Sequence, residues 1–117
     1  MVRFWRATLN SCNGLIFAIR SEQAIREELV ALLLAVPAAW LIATTTMRAV
    51  ELVASVVLVL AVELLNTAIE KLADRLTTDL DPKIKHVKDM GSAAVGVTLL
   101  MAGLVWLFAI AERMGVI

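Results

Sequence analysis

Residues 49–75 read AVELVASVVLVLAVELLNTAIEKLADR, and the fold turns on how the two halves of that run are joined. The first half is apolar and leads into a stretch, 49–69, of the length that crosses a hydrocarbon core, roughly 20 residues as helix. The second half places Glu63, Asn66, Glu70 and Asp74 at steps of three, four and four. Successive helical residues rotate by about 100°, so these four polar groups fall in one narrow sector of a single helix. The stretch therefore reads as a membrane-crossing helix whose polar stripe begins before the membrane ends. Glu63 sits nearly two turns inside that end, where a charged carboxylate is costly unless it faces protein, metal or water.

Two further runs have the same character: LVALLLAVPAAWLIATTT at 29–46 and GSAAVGVTLLMAGLVWLFAIA at 91–111. Unpaired backbone is intolerable in lipid, so all three are expected as helices, the first kinked at Pro37. The chain of 117 residues is 61% hydrophobic, too apolar for an ordinary soluble domain and too short for several. The expected fold class is an all-α membrane protein, a single integral-membrane domain over 1–117. Eleven Lys+Arg balance eleven Asp+Glu, which gives no reason to expect a nucleic-acid partner. One cysteine, Cys12, and one histidine, His86, leave disulfide frameworks and zinc sites unsupported. No cleavable signal is expected, because the first sustained apolar run begins only near Leu29.

The charges outside the runs orient the spans. Arg48 alone lies between the first two, whereas the second connection carries Lys71, Arg75, Lys83, Lys85 and Lys88, and the N-terminal segment carries Arg3, Arg6, Arg20 and Arg26. By the positive-inside rule the N-terminus and the second connection face the cytoplasm. Ahead of the first run, Trp5, Leu9, Cys12, Ile16 and Ile19 share one face, with Arg3, Arg6, Asn10 and Asn13 on another. That pattern predicts an amphipathic surface helix over 3–20, interrupted at Gly14. Ser21 is expected to cap the next helix, with Glu22 in its first turn. Asp81–Pro82 reads as an N-cap and first helical position.

At the cytoplasmic side these segments assemble the parts of phosphoryl transfer. Glu63 suits a general base for a hydroxyl. Lys88 is a point charge suited to phosphate, sharing a face or adjoining faces with Lys85, Asp89 and Ser92. If the helices close side by side, Glu22 and Glu70 could hold Mg2+, which takes a few carboxylates together with nucleotide phosphates. The plainer readings stand beside these: Glu22, Glu70, Lys71, Asp74 and Arg75 as solvated charges at helix ends, Lys83 and Lys85 as headgroup contacts, Trp40 and Trp106 as interface or packing aromatics, and the small residues from Gly91 to Gly96 as close-packing positions. No phosphate loop, protein-kinase glycine loop, nucleophile elbow or H-E-x-x-H is present.

ELLNTAIEKLADR (63–75) and KDMGSAAV (88–95), in that order and at that separation, resemble the two signature stretches of the prokaryotic diacylglycerol kinase family, and SEQAIREE (21–28) resembles the family's approach to its first span. The resemblance implies a homotrimer of three-span chains in the bacterial inner membrane that transfers the γ-phosphate of MgATP to the hydroxyl of diacylglycerol, giving phosphatidic acid, with sites built between subunits. It implies Glu63 as catalytic base supported by Asn66, and Glu22 and Glu70 as metal carboxylates. Lys88 and Asp89 become a nucleotide-contacting pair, Arg3 and Asn10 contacts from the surface helix, Asp81 part of a loop over the nucleotide, and Ser92 a neighbour of the lipid. Asn10 and Asn13 stand where some relatives carry an aromatic and a lysine, and TTDLDPKIKHV (77–87) departs from the best-known member's loop. Undecaprenol is the alternative acceptor, with ceramide and monoacylglycerol as further ones. From other classes, an ion-coupled transporter or channel would use Glu63 as an intramembrane ion site and leave Lys88 and Asp89 unexplained, and a purely structural membrane partner would leave the whole stripe unexplained.

Overall fold

The computed structural model describes residues 1–77 and 79–117. Four helices follow in order: α1 (Val2–Ser21), α2 (Gln23–Ile42), α3 (Thr46–Leu76) and α4 (Pro82–Arg113). α3 is the central element, packed most extensively on α4 and then on α2, while α1 leans against the rest mainly through α2. At 1.5 Å per residue α3 and α4 are each roughly 45–50 Å long, well beyond the ~30 Å of a hydrocarbon core. The excess decides where the charged groups lie, because the helices continue past the apolar runs and carry Glu70–Arg75 and Lys83–Asp89 as ordered helix.

The outside of this bundle is apolar. Leu33 is 74% exposed, Leu41 76% and Leu100 72%, whereas the interior is built largely from small residues: Ala35, Ala39, Ala49, Ala102 and Ala109. Ala39, Ala49, Leu52 and Ala109 form one cluster joining α2, α3 and α4, with Val105 and Trp106 packed against it. Small side chains bring helix backbones close, the usual means of association where lipid is as apolar as the core. α3 and α4 are each long and apolar enough to cross a membrane. α2 has Arg26, Glu27 and Glu28 in its first two turns, which leaves only residues 29–42 as its uncharged part, roughly 21 Å of helix.

Several boundaries differ from those expected. The first apolar run is helical only to Ile42, because Thr45 turns out of helix and its hydroxyl accepts the Arg48 N–H to cap α3. α3 extends its run at both ends, to Thr46 and to Leu76. α1 is unbroken at Gly14. Ser21 does not cap α2: it is the last residue of α1, and Glu22, at φ −124° and ψ 120°, makes the break. The bend is held instead by Arg26, whose guanidinium donates to the Ile19 carbonyl at 2.8 Å and the Arg20 carbonyl at 3.2 Å. A cation on the last carbonyls of a helix satisfies acceptors that have no helical partner and complements the dipole. Asp81 and Pro82 behave as expected, the Asp81 carboxylate accepting the N–H groups of Lys83 and Ile84 at 2.8 and 3.4 Å.

Candidate active site

The polar stripe of α3 faces α4. Asn66 is 7% exposed and donates through Nδ2 to Glu70 Oε1 at 3.2 Å, one turn along the helix. A further turn on, Asp74 accepts from Lys88 of α4 at 2.5 Å. That contact ties the end of α3 to the start of α4 across the loop. Glu63, half-buried on α3, lies within electrostatic reach of Glu28, Glu70 and Glu22. Four carboxylates from three segments thus share one region.

Glu22 reaches this region from the α1–α2 break, its Oε1 2.7 Å from Lys71 Nζ. Lys71 follows Glu70 directly in α3, so the ion pair brings Glu22 to the turn that bears Glu70. The same ammonium lies 5.3 Å from the centre of the Phe17 ring, a cation–π contact that holds the end of α1 against α3. Beside it runs an open apolar groove of about 540 Å³ between α1 and α3, lined by Leu15, Phe17, Ala18, Leu64 and Thr67 and ending at Lys71.

Before the apolar run 91–111, α4 presents two charged pairs. Hydrogen bonding to Asp74 holds the Lys88 ammonium above the ordinary lysine range, so it stays cationic throughout neutral pH. Lys85 bonds Asp89 at 2.7 Å and keeps that carboxyl below the usual carboxylate range.

The structure brings Glu22, Glu63, Asn66, Glu70 and Lys88 together. Asp89 is one turn from Lys85 on an exposed face of α4, and Ser92 is exposed just beyond it. Arg3 and Asn10 are not drawn in: both lie on the exposed N-terminal part of α1, and among the described residues neither side chain makes a hydrogen bond or ion pair. The Asp81 carboxylate is engaged in capping α4. Lys71 and Glu28 were absent from the expected site. Lys71 carries no mark in sequence that separates it from other helix-end lysines, and Glu28 becomes relevant only once α2 packs on α3.

Among the described residues no three histidine, cysteine or acidic side chains converge to cage a metal ion. Glu22 and Glu70 offer hard oxygen donors and too few of them for Ca2+, which takes six to eight. The pair fits Mg2+, which keeps waters and takes phosphate oxygens along with one or two carboxylates.

The family model described as prokaryotic diacylglycerol kinase matches residues 9–110. The diacylglycerol kinase of Escherichia coli K12 is 38% identical over 113 residues, 97% of this chain and 93% of that protein. That of Haemophilus influenzae is 35% identical over 100 residues, 86% and 85% of the two chains, and that of Pseudomonas aeruginosa 36% identical over 104 residues, 89% and 85%. With the match running from the surface helix to the end of α4, the chain belongs to the prokaryotic diacylglycerol kinase family.

Proposed function

We propose that this diacylglycerol kinase transfers the γ-phosphate of ATP, with Mg2+, to the hydroxyl of diacylglycerol at the cytoplasmic face of the bacterial inner membrane, giving phosphatidic acid and ADP. The observation that carries the reading is the polar face between α3 and α4: Asn66 bonded to Glu70 and Asp74 bonded to Lys88, on the ordered ends of two membrane-length helices. The lipid acceptor lives in the membrane and the nucleotide in water. A carboxylate stripe that leaves an apolar span part-way up lets one set of side chains meet both. The apolar groove that ends at Lys71 supports approach of an acyl-bearing substrate from the side.

In this mechanism Glu63 accepts the proton of the lipid hydroxyl as its oxygen bonds to the γ-phosphorus and the bond to the ADP oxygen breaks. Asn66 positions the Glu70 carboxylate. Lys88 offsets charge on the phosphates, with Asp89 beside it on the nucleotide side and Ser92 near the lipid. Glu22 and Glu70 would hold Mg2+, which would supply charge neutralisation at the leaving phosphates, and Lys71 would then release its contact with Glu22. Arg3 and Asn10 are nucleotide contacts in this reading only if α1 swings or a neighbouring chain supplies them, and Asp81 would reach the nucleotide from its place at the cap of α4. A homotrimer of three-span chains, with sites between subunits and a cytoplasmic N-terminus, is part of the proposal.

The test is phosphorylation by MgATP of diacylglycerol and of undecaprenol, side by side in mixed micelles, by wild type and Glu63→Gln. Transfer to diacylglycerol that collapses in a folded Glu63→Gln protein is the expected result. Preference for undecaprenol would reassign the acceptor, and a folded wild type that transfers to neither lipid would refute the kinase reading and call for ion-flux measurements in proteoliposomes.

A further inference from the structure

Asn66 is bonded at one end only. Its Nδ2 donates to Glu70, but its Oδ1 is buried with no hydrogen-bond partner among the described residues, an arrangement that costs free energy and calls for an explanation. The explanation lies on α4. Gly91 is buried opposite Asn66, and a Cβ built on it would overlap Asn66 Oδ1 and come within 3.3 Å of its Cγ. The carboxamide oxygen occupies the space a side chain at 91 would take. By contrast, a Cβ at Gly96 or Gly103 of the same helix would meet nothing within 4 Å.

This lodging determines which end of the amide faces Glu70. With the oxygen confined against Gly91, the amide presents its donors to the carboxylate; the opposite orientation would set oxygen against oxygen and be repulsive. We infer that Gly91 is a positioning residue, whose missing Cβ lets Asn66 lie flat on α4 and so orients the Glu70 carboxylate toward the metal–nucleotide complex. The inference rests on the reading of Glu70 as a metal ligand.

An alanine at 91 must turn Asn66 away or force α3 from α4, and either movement releases Glu70. Displacement of this kind costs about 10- to 100-fold in a positioned site. The experiment measures Mn2+ binding by electron paramagnetic resonance in the presence of a non-hydrolysable ATP analogue, alongside the Mg2+ and MgATP dependence of lipid phosphorylation. It compares wild type, Gly91→Ala, Gly103→Ala, Asn66→Ala and the double variant Asn66→Ala/Gly91→Ala.

Gly91→Ala should weaken Mn2+ binding and raise the KM for MgATP by about tenfold or more, Asn66→Ala should do the same, and Gly103→Ala should match wild type. The double variant should be no worse than Asn66→Ala, because the space the new methyl enters has been emptied. If Gly91→Ala alone fails to assemble, the comparison of Asn66→Ala with the double variant still decides. Unchanged Mn2+ binding in folded Gly91→Ala, or a further loss when Gly91→Ala is added to Asn66→Ala, overturns the inference. A wild type that binds Mn2+ and nucleotide but phosphorylates no lipid overturns the kinase reading instead, and is told apart by that.

Discussion

The two ends of the helix bundle treat their polar groups in opposite ways. At the end bearing the α2–α3 connection, Arg48 donates to Glu51 at 2.6 Å and to both oxygens of Glu112 at 3.2 Å, Thr44 bonds Glu112 at 3.0 Å, and the Arg48 guanidinium lies 5.1 Å from the Phe108 ring. A bidentate Arg–carboxylate pair is among the stronger ionic contacts, and its two residues lie beside Ala49 and within one turn of Ala109, both members of the buried cluster. At the other end the ion pairs are single and separate: Glu22 with Lys71, Asp74 with Lys88 and Asp89 with Lys85, while Asn66 bonds Glu70 and keeps an oxygen without a partner among the described residues. Charges that already satisfy one another hold a fold and bind little else. Charges held by one exchangeable partner can be handed to phosphate and metal. On the proposed function, the first end serves stability and the second serves chemistry.

Exchanging one carboxylate for an amide at each end is the strongest way to break that contrast. Glu63→Gln should lower the phosphorylation rate by about 10²- to 10⁴-fold, the span of a lost general base, with the detergent-unfolding midpoint unchanged. Glu112→Gln should do the reverse, lowering the midpoint while activity of the folded fraction holds. If Glu112→Gln abolished turnover in intact protein, the division between the ends would be wrong.

Next in size is Lys88. Lys88→Met should reduce kcat/KM by about 10²-fold, as expected for removing a charge aimed at developing phosphate charge. Asp74→Asn should cost much less, since it removes only the partner that holds the ammonium in the free protein. Steady-state kinetics with varied MgATP separates the two. An equal loss in both variants would mean that the Asp74–Lys88 bridge matters for joining α3 to α4 and that Lys88 does not reach nucleotide.

The pH dependence of stability sharpens the comparison further. Hydrogen bonds from Arg48 and then Thr44 hold the Glu112 carboxyl below the usual carboxylate range. A depressed carboxyl stabilises the fold above its unfolded pKa, about 4.3 for Glu, and that stability is lost as pH falls through the lower folded value. Wild type should therefore lose thermal stability on acidification below about pH 4, and the loss should be shallower in Glu112→Gln, as followed by circular dichroism in detergent. The Lys88 ammonium acts in the opposite direction: its raised value stabilises the fold up to the ordinary lysine pKa and fails only as pH rises through the folded one. Neutral pH touches neither, so a pH effect on activity between 6 and 8 would have to come from elsewhere in the site.

The sequence made the chemical end more legible than the structural one, for a physical reason. Glu63, Asn66, Glu70 and Asp74 stand out because helical periodicity acts over one element, and polar groups in an apolar run are conspicuous. The apolar runs are shorter than α3 and α4, because hydropathy ends with the membrane while helix continues on pairs such as Lys85–Asp89, spaced by four; the start of α4 is nonetheless legible in the Asp81–Pro82 cap. Contacts between distant positions left no trace: Arg48 meets Glu112 across 64 residues, and Gly91 and Asn66 meet only because two helices pack face to face. In the sequence Arg48 is simply the one cation of a short connection. The side-chain preference of Ser21 points to an N-cap, whereas Arg26 holds that bend by reaching back to the last carbonyls of α1.

The smallest expected effect separates capping from nucleotide contact at Asp81. Its carboxylate accepts two N–H groups at the start of α4, and losing such a cap costs about 1 kcal/mol. Asparagine caps nearly as well as aspartate but carries no charge. Asp81→Ala should therefore lower the unfolding midpoint slightly and fray the first turn, which would carry Lys85 and Lys88 with it and raise the KM for MgATP a little. Asp81→Asn should restore both. If instead Asp81→Asn kept the midpoint and still raised the KM, the negative charge itself would be engaged with the metal–nucleotide complex. Asp81 would then belong with Glu22 and Glu70, and the singly partnered end of the bundle would extend one loop further than the helices show.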